Sequence, residues 1–281
     1  MDYIVCVPSY KRSKLCNEKT LSTLNKHNIP SSKINVYVAN QEEYAEYERV
    51  LNKQLYNKLI VGVKGLVNQR QFIMEQLPEN KPIVFLDDDI KSIDLTMTKE
   101  NSLDGFFKHA FDECKKNKAY IWGVYPVYNP FFRKGTAPMT THLNFLIGAF
   151  FGIINRPHLK AIQNTTGDSK EDSERTIKYF IHDGIVLRFN HVGFETKMYG
   201  REGGLGTFDQ RLQPMKEGAN RLKELFPEYG SVYTRKNGMT EFRLKRIPAF
   251  NQNGKSISMN KTKKSIKTRR NKTHNKKNPK K

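Results

Sequence analysis

Residues 83–90 read IVFLDDDI, an apolar run of four residues followed directly by three aspartates. A short run without polar residues predicts a strand that is covered on both faces, which is typical of the centre of a parallel sheet. In open α/β sheets, ligands bind beyond the carboxyl ends of the strands. The stretch therefore predicts a central strand with a polar site at its end.

The segments on both sides of this strand alternate between strand-like and helix-like patterns. This alternation predicts βαβ units with right-handed crossovers, and therefore an α/β fold with a mostly parallel central sheet flanked by helices. The predicted strands are 3–7, 34–39, 58–63, 83–86 and 119–127, and the predicted helices are 15–27, 41–55, 65–77 and 103–117.

The second half of the chain is less regular. The apolar stretch 145–154 predicts an inner strand, 169–183 predicts a helix with acidic residues in its first turn, and 185–190 predicts another strand. A glycine-rich loop at 200–211 leads into a further helix. The sequence contains neither G-x-G-x-x-G nor a Walker A lysine loop, so neither dinucleotide binding nor a P-loop is supported.

The positive charge is concentrated at the carboxyl end of the chain. The 281 residues carry a formal net charge of +21, and residues 251–281 contribute twelve Lys or Arg and no acidic residue, which leaves +9 for 1–250. The tail has too few apolar residues to offset the entropy of ordering. We predict one domain over 1–250 and a flexible cationic tail over 251–281, which serves either nucleic-acid contact or solubility and nuclear import.

The cysteine content and the N-terminal sequence bear on the compartment. Three cysteines without paired spacing argue against a disulfide framework or a zinc cluster. No secretory signal is visible, and the longest apolar stretch is too short to span a bilayer. We expect a soluble protein without membrane contact, in the cytoplasm or nucleus.

Three adjacent carboxylates repel one another unless a cation lies between them. A divalent metal is the usual solution for hard oxygen ligands, and a strand-end D-x-D can hold Mn²⁺ or Mg²⁺ that binds a diphosphate. The alternatives are a solvated turn or a helix cap. The position after an apolar strand favours the metal.

Five segments occur in the order and spacing of a known enzyme family. They are VCVPSYKR (5–12), GLVNQRQFIMEQL (65–77), IVFLDDDI (83–90), GAFFGIINR (148–156) and EDSERTIKYF (171–180). Over about residues 3–190 the chain resembles inverting glycosyltransferases of family 2 type with the GT-A fold. The resemblance implies a metal-dependent transfer of a sugar from a nucleotide-sugar donor, such as a UDP-sugar, to a hydroxyl group.

The resemblance also implies roles for individual residues on the donor side. Arg70 would approach the nucleotide or its diphosphate, while Asp87 and Asp88 would lie on the nucleotide side. Asp87 and Asp89 would bind the metal. The loop that meets the nucleotide would contain Pro8, Ser9, Tyr10 and Arg12.

On the acceptor side, the resemblance implies that Asp172 is the general base that deprotonates the attacking hydroxyl. Partial burial that raises its pKa would suit that task. Glu171 is the competing candidate, and Arg175, one turn later, would orient the base or meet phosphate. The alternative for this acidic segment is a charged helix face with ordinary surface pairs.

Further segments keep two interpretations each. The glycine-rich loop with Arg201 either cradles phosphate through backbone N–H groups or only permits a tight chain reversal. His182 or His191 either completes the metal site or is structural. Trp122 and YPVYNPFF (125–132) either stack on a sugar or base or pack in the core. We expect them to pack in the core.

The opening segment, GLVNQRQFI and GREGGLG most resemble one branch of this fold. It comprises the DNA-base glycosyltransferases associated with TET/JBP oxygenases in phages and large DNA viruses. That resemblance implies a 5-hydroxymethylpyrimidine acceptor in DNA, which would be flipped out of the duplex. The alternatives are a glycan or protein hydroxyl as acceptor, or a nucleic-acid-binding protein without turnover.

Overall fold

The computed structural model describes residues 2–196 and 207–251. Arg201, most of the glycine-rich loop and the cationic tail lie outside the described residues. Within them, no helix is both long enough and apolar enough to cross a membrane.

An eight-stranded sheet forms the centre of the protein. Its strands are β1 (Ile4–Pro8), β2 (Ile34–Val38), β3 (Lys58–Val61), β4 (Pro82–Leu86), β6 (Ile121–Val124), β7 (Met139–Thr140), β8 (Phe150–Ile154) and β9 (Leu187–Phe189). The strand order is β3-β2-β1-β4-β8-β6-β9-β7, and β1 to β4 run parallel to one another. β8 lies antiparallel between β4 and β6, and β7 lies antiparallel at the edge beside β9.

Two small antiparallel sheets accompany the central sheet. One pairs β5 (Ile90–Asp94) with β10 (Gly193–Thr196), and the other pairs β11 (Gly230–Thr234) with β12 (Thr240–Leu244). β5 begins directly after the three aspartates, of which Asp88 and Asp89 form the turn that joins the central sheet to the first small sheet.

The helices cover both faces of the central sheet. Asn40 and Ser102 cap two of them by accepting hydrogen bonds from backbone N–H groups three residues later. The first helix is continuous, with a π-helical segment (Asn17–Leu21) between α1 (Ser13–Cys16) and α2 (Ser22–Lys26). The others are α3 (Gln41–Val50), α4 (Leu66–Gln76), α5 (Leu103–Asn117), α6 (Lys160–Gln163), α7 (Glu171–Asp183) and α8 (Phe208–Leu225).

A hydrophobic cluster lies on each face of the sheet. Along β1, the alternation of side chains places Val5 and Val7 in one cluster and Cys6 in the other. The first cluster includes Trp122, which is fully buried among the aromatic side chains of α5 and β8. The expected core packing of Trp122 is therefore confirmed.

The predicted α/β class with a mostly parallel central sheet flanked by helices is confirmed. Three predicted elements begin or end at least three residues away from the observed boundary. The inner strand predicted at 145–154 begins only at Phe150 and is antiparallel. The helix predicted at 41–55 ends at Val50, because Leu51 is extended and buried in the core. The strand predicted at 119–127 ends at Val124, two residues before Pro126, which has no N–H to donate.

Candidate active site

The three aspartates lie in the turn between β4 and β5, at the carboxyl edge of the parallel strands. Thr20 fixes this turn from the first helix. Its hydroxyl donates to the carbonyl of Asp87 at 2.6 Å and accepts from the N–H of Ile90 at 2.9 Å. The turn is therefore held in place by a neighbouring element, unlike a solvated surface turn.

Asp88 points inward and connects the turn to the loop after β1. Only 5 % of Asp88 is exposed, and it accepts a hydrogen bond from Ser9 at 2.5 Å and contacts Arg12 at 3.4 Å. Burial raises its pKa to about 6, although Arg12 and Ser9 oppose that change. Ser9 also hydrogen-bonds Tyr47 at 2.7 Å, so the loop is anchored from two sides.

Asp87 and Asp89 lie on the more open side of the turn. The Asp87 side chain is 34 % exposed and accepts from Arg70 at 3.0 Å. Burial raises the pKa of Asp87 to about 7; Arg70 lowers it, and the adjacent carboxylates raise it further. Asp89 accepts a hydrogen bond from the hydroxyl of Thr196 on β10 and lies 3.5 Å from Arg12. Two guanidinium groups, those of Arg12 and Arg70, therefore contact the three carboxylates of the turn.

A buried charge network joins the aspartates to the start of α7. Arg70 donates to Glu171 at 2.5 Å and to the carbonyl of Gly148 at 2.7 Å, in addition to Asp87. The second carboxylate oxygen of Glu171 accepts from Arg175. Burial raises the pKa of Glu171, but the two guanidinium groups outweigh burial and hold it below its ordinary value. Glu171 is therefore a buried anion with both oxygens occupied.

Asp172 has a different environment although it is the next residue. It is half-buried, and among the described residues its carboxylate accepts one hydrogen bond, from the N–H of Ser173 at 2.8 Å. Burial and the nearby anion Glu171 raise the pKa of Asp172 to about 6, against the opposing effects of Arg175 and Lys170. This is an accessible carboxylate whose pKa lies near neutrality, as proton abstraction from a hydroxyl requires.

Gly148 allows the two acidic segments to approach each other. A Cβ at this position would lie 2.4 Å from Oε1 of Glu171 and 3.4 Å from the Arg70 guanidinium. Because contacts under 3.0 Å are not tolerated, a side chain here would displace Glu171. Gly148 thus packs directly against the charge network. It begins one of the five segments that carry the family resemblance.

The start of α7 is fixed by contacts that the sequence does not reveal. Asp168 accepts from the N–H of Val67 at 2.9 Å, at the beginning of α4. Lys170 has a left-handed backbone conformation, with φ of +65°, and its ammonium group pairs with Glu241 of β12. Glu174 is fully buried and accepts from Thr166. These residues are far from their partners in sequence or lie in irregular backbone, so no periodic pattern signals them.

The remaining predicted donor-side residues surround the same turn. Pro8 is buried at the end of β1, and the ring of Tyr10 is half-buried, with the ammonium groups of Lys11 and Lys64 at 5.5 and 5.7 Å from its centroid. The structure therefore brings together all the predicted site residues that it describes, and Arg201 lies outside the described residues.

The histidines considered as metal ligands lie in other environments. His182 contacts Asp183 at 2.7 Å and His191 contacts the carbonyl of Thr136 at 3.0 Å. Over residues 2–196 and 207–251, no three side chains of His, Cys, Asp or Glu are arranged to hold a metal ion. Asp87 and Asp89 still supply the hard oxygen donors that Mn²⁺ or Mg²⁺ prefers. The pKa of Asp87 is raised first by burial and then by the neighbouring carboxylates, and a divalent cation would relieve that repulsion. The carboxylates present therefore fit such an ion if other ligands come from substrate and water.

Comparisons with protein-family models and with curated proteins give no match. Solved structures do resemble the chain. S. aureus TarS 1–349 has 20 % identity and a TM-score of 0.44, over 67 % of this chain and 58 % of that one. The mannosyltransferase PcManGT from Pyrobaculum calidifontis, in complex with GDP-Man and Mn²⁺, has 15 % identity and a TM-score of 0.49, over 80 % and 64 %. A mycobacterial protein has 8 % identity and a TM-score of 0.50, over 88 % and 86 %. At these identities the likeness is one of fold.

Proposed function

We propose that this protein is a metal-dependent inverting glycosyltransferase of the GT-A fold, which moves a sugar from a nucleotide-sugar donor to a 5-hydroxymethylpyrimidine in DNA. One observation supports the enzyme class above all others. Arg70 hydrogen-bonds both the strand-end aspartate Asp87 and the helix-start glutamate Glu171, so the two acidic motifs form one site. Asp172, beside that network, keeps an accessible carboxylate with a pKa of about 6.

The proposed chemistry assigns the proton to Asp172. Its carboxylate accepts the proton of the acceptor hydroxyl while the hydroxyl oxygen forms a bond to the anomeric carbon of the sugar. The bond between that carbon and the diphosphate oxygen breaks on the opposite face, and the nucleoside diphosphate departs with the electron pair. Attack opposite the leaving group inverts the anomeric configuration and leaves Asp172 protonated.

The donor would lie against the strand-end turn. Asp87 and Asp89 would hold Mn²⁺ or Mg²⁺, which when bound offsets the charge that develops on the departing diphosphate. The loop after β1 would contact the nucleotide through Tyr10 and Arg12. Asp88 holds that loop against the turn through Ser9, so it would act on the donor indirectly.

The DNA acceptor is supported by charge and by the family resemblance. Residues 1–250 contribute +9, and residues 251–281 contribute +12 without an acidic residue. A polyanionic duplex is attracted to such a surface through counterion release, independently of sequence. The resemblance to the DNA-base branch of the fold identifies the hydroxymethyl group as the acceptor, and Arg201 would close on the donor diphosphate.

The test is a transfer assay with hydroxymethylated duplex DNA, Mn²⁺ and a panel of nucleotide sugars, followed by mass spectrometry of the released nucleosides. A hexose mass added to the modified pyrimidine is the expected result, with Asp172→Asn as the inactive control. Transfer to a glycan or protein instead of DNA would reject the acceptor. Neither transfer nor donor hydrolysis by the intact chain would reject the enzyme and favour a binding protein without turnover.

A further inference from the structure

The connection between β6 and β8, residues 125–149, begins and ends at the edge of the sheet that carries the candidate active site. β4 and β6 are both antiparallel to β8, so they are parallel to each other and their carboxyl ends lie at the same edge. With one strand between them, those ends are about 10 Å apart. Apart from one turn of 3₁₀ helix and the two-residue strand β7, these twenty-five residues are irregular, and long irregular connections in a compact domain are usually functional.

This connection exposes two large aromatic side chains. Phe131 is 73 % exposed and Phe132 is 56 % exposed, in a short 3₁₀ helix that spans Pro130–Phe132. Their rings pack edge to face, with centroids 5.5 Å apart. Core packing is the expectation from the sequence for YPVYNPFF (125–132), and for these two residues that expectation is wrong. Adjacent exposed phenylalanines form an apolar surface that is typical of a binding site.

The exposed rings are held in place by Arg133. This side chain is fully buried and donates to the carbonyls of His191 and Tyr128 at 2.8 and 2.9 Å, and to Asp94 at the end of β5. The turn is therefore fixed to the small sheet that starts at the three aspartates. The backbone that carries the rings is thus ordered before binding, which lowers the entropy cost of binding.

A cluster of two arginines with His142 beside it lies near the same connection, with Arg188 on β9 and Arg246 two residues after β12. Arg188 on β9 lies opposite Gly123 near the end of β6, and its guanidinium is 5.0 Å from the centroid of the Tyr125 ring. His142 lies near Arg188 and Arg246, and burial together with these two cations lowers its pKa. Over residues 2–196 and 207–251, Arg188 donates to the side-chain oxygen of Asn190 and to the carbonyl of Phe145, neither of them a carboxylate, and Arg246 is exposed. The cluster thus lacks the negative charge that a bound phosphate would supply.

Building on the glycosyltransferase function proposed above, we propose that the aromatic turn at residues 128–132 and the two arginines Arg188 and Arg246 form the surface that binds the acceptor DNA. The rings contact bases and the cations contact backbone phosphate. Aromatic and apolar side chains that enter the base stack open the duplex and are common in proteins that distort DNA.

The spacing fits a duplex that reaches both the turn and the site. Asp94, which anchors Arg133, lies five residues along β5 from Asp89, or about 16 Å at the usual rise of a strand. That distance corresponds to about five base pairs along a duplex, at about 3.4 Å per step. The turn would therefore contact the DNA about five base pairs from the target base, which leaves the proposed catalytic carboxylate free to receive the flipped nucleotide.

The test compares full-length protein with the double variant Phe131→Ala/Phe132→Ala and with the matched control Leu225→Ala. Leu225 is 51 % exposed at the end of α8, so it controls for loss of an exposed apolar side chain. Fluorescence anisotropy with a labelled hydroxymethylated duplex gives the affinity, at a salt concentration that screens the tail. Donor hydrolysis without DNA gives the activity of the catalytic centre.

We expect the double variant to bind the duplex at least tenfold more weakly, because stacking on an aromatic side chain contributes about that much per base. Leu225→Ala binds as the unaltered protein does, donor hydrolysis is unchanged in both, and Phe131→Tyr/Phe132→Tyr retains most of the affinity. Arg246→Gln should weaken binding and lower its dependence on salt.

Equal affinity of the double variant and the unaltered protein would overturn the proposal and favour a protein partner for the turn. So would the absence of duplex binding by the unaltered protein. Failure of the proposed function would give a different result. The unaltered protein would then bind the duplex normally but would not transfer sugar to DNA. The anisotropy comparison still decides the role of the turn in that case.

Discussion

Glu171 and Asp172 are adjacent in sequence, but only Asp172 has a carboxylate that is open to a substrate. Both oxygens of Glu171 accept from buried guanidinium groups, and its pKa is lowered. The anionic Glu171 in turn raises the pKa of Asp172, after burial the largest cause of that change. Glu171 is thus a buried anchor for the two arginines, and Asp172 is the candidate general base. The sequence alone leaves both residues as candidates for the base.

The first prediction concerns Asp172→Asn. Because the amide cannot accept the proton of the hydroxyl, we expect kcat to fall by about 10²- to 10⁴-fold, the usual contribution of a general base. The affinity for the donor and the melting temperature should change little, since the Asp172 side chain accepts one hydrogen bond, from within its own helix turn. Steady-state kinetics with a nucleotide sugar measure the effect. Activity within a factor of about three of the unaltered enzyme would exclude Asp172 as the base, because that loss is far below the usual contribution.

The second prediction concerns Glu171→Gln, which should act mainly on stability. The substitution leaves Arg70 and Arg175 buried with one anion fewer, and breaking a buried pair in this way typically costs about 3–5 kcal/mol. Urea denaturation of Glu171→Gln and Asp172→Asn in parallel measures the free energy of unfolding. A stable Glu171→Gln protein with lost turnover would instead place Glu171 in the chemistry.

The third prediction concerns the pH profile. A carboxylate base works only when deprotonated, so kcat/KM should fall as the pH drops through about 6, the raised pKa of Asp172, and should level off above it. The charged groups that set this value are Glu171, Arg175 and Lys170. Asp172→Asn should remove the inflection from its residual activity. A profile of the unaltered enzyme that stays flat on both sides of that pKa would contradict the assignment.

The sequence predicts the regular parts of this protein because they follow local patterns. The apolar run before the three aspartates identifies β4, and the alternation of strands and helices identifies the parallel half of the sheet. The direction of β8 is not predictable in this way, because a strand buried on both faces reads the same in either direction. The sequence does not predict β5 either, since it is a short strand whose partner, β10, lies far along the chain.

The same division holds within the candidate site. Motif order identifies Asp87, Arg70 and Asp172, since each belongs to a recognisable segment. It does not distinguish Asp88 as an inward anchor or Glu171 as a buried counter-ion, because both depend on partners that only the fold supplies. For the same reason the sequence does not reveal that Thr196 donates to Asp89 or that Glu241 pairs with Lys170. The exposure of Phe131 and Phe132 is not predictable from the sequence, because phenylalanine is most often buried.

The fourth prediction concerns Gly148→Ala. The added methyl group would lie 2.4 Å from Oε1 of Glu171, so the network around Arg70 must shift. Overpacking of this kind costs about 1–3 kcal/mol, and displacement of Glu171 should also lower turnover. Thermal unfolding and steady-state kinetics measure both effects. Gly105→Ala, in the first turn of α5, is the matched control: its Cβ would meet only Oγ of Ser102, at 3.1 Å, so stability should change little, since the gain in helix propensity offsets this tight contact. Equal behaviour of the two variants would show that the close approach at Gly148 is not required.

The last prediction concerns removal of residues 252–281, which deletes all twelve Lys and Arg of the tail. Each phosphate that these residues neutralise releases counterions, so truncation should weaken duplex binding and reduce the slope of log affinity against log salt by about 0.9 for each phosphate that the tail neutralises. Donor hydrolysis should persist, because the predicted donor residues lie at or before Arg201. The measurement is a salt titration of duplex affinity for the full and truncated chains. An unchanged slope would assign DNA binding to the folded body alone, where the aromatic turn and Arg246 provide the remaining contacts, and would leave the tail a role in solubility or nuclear import.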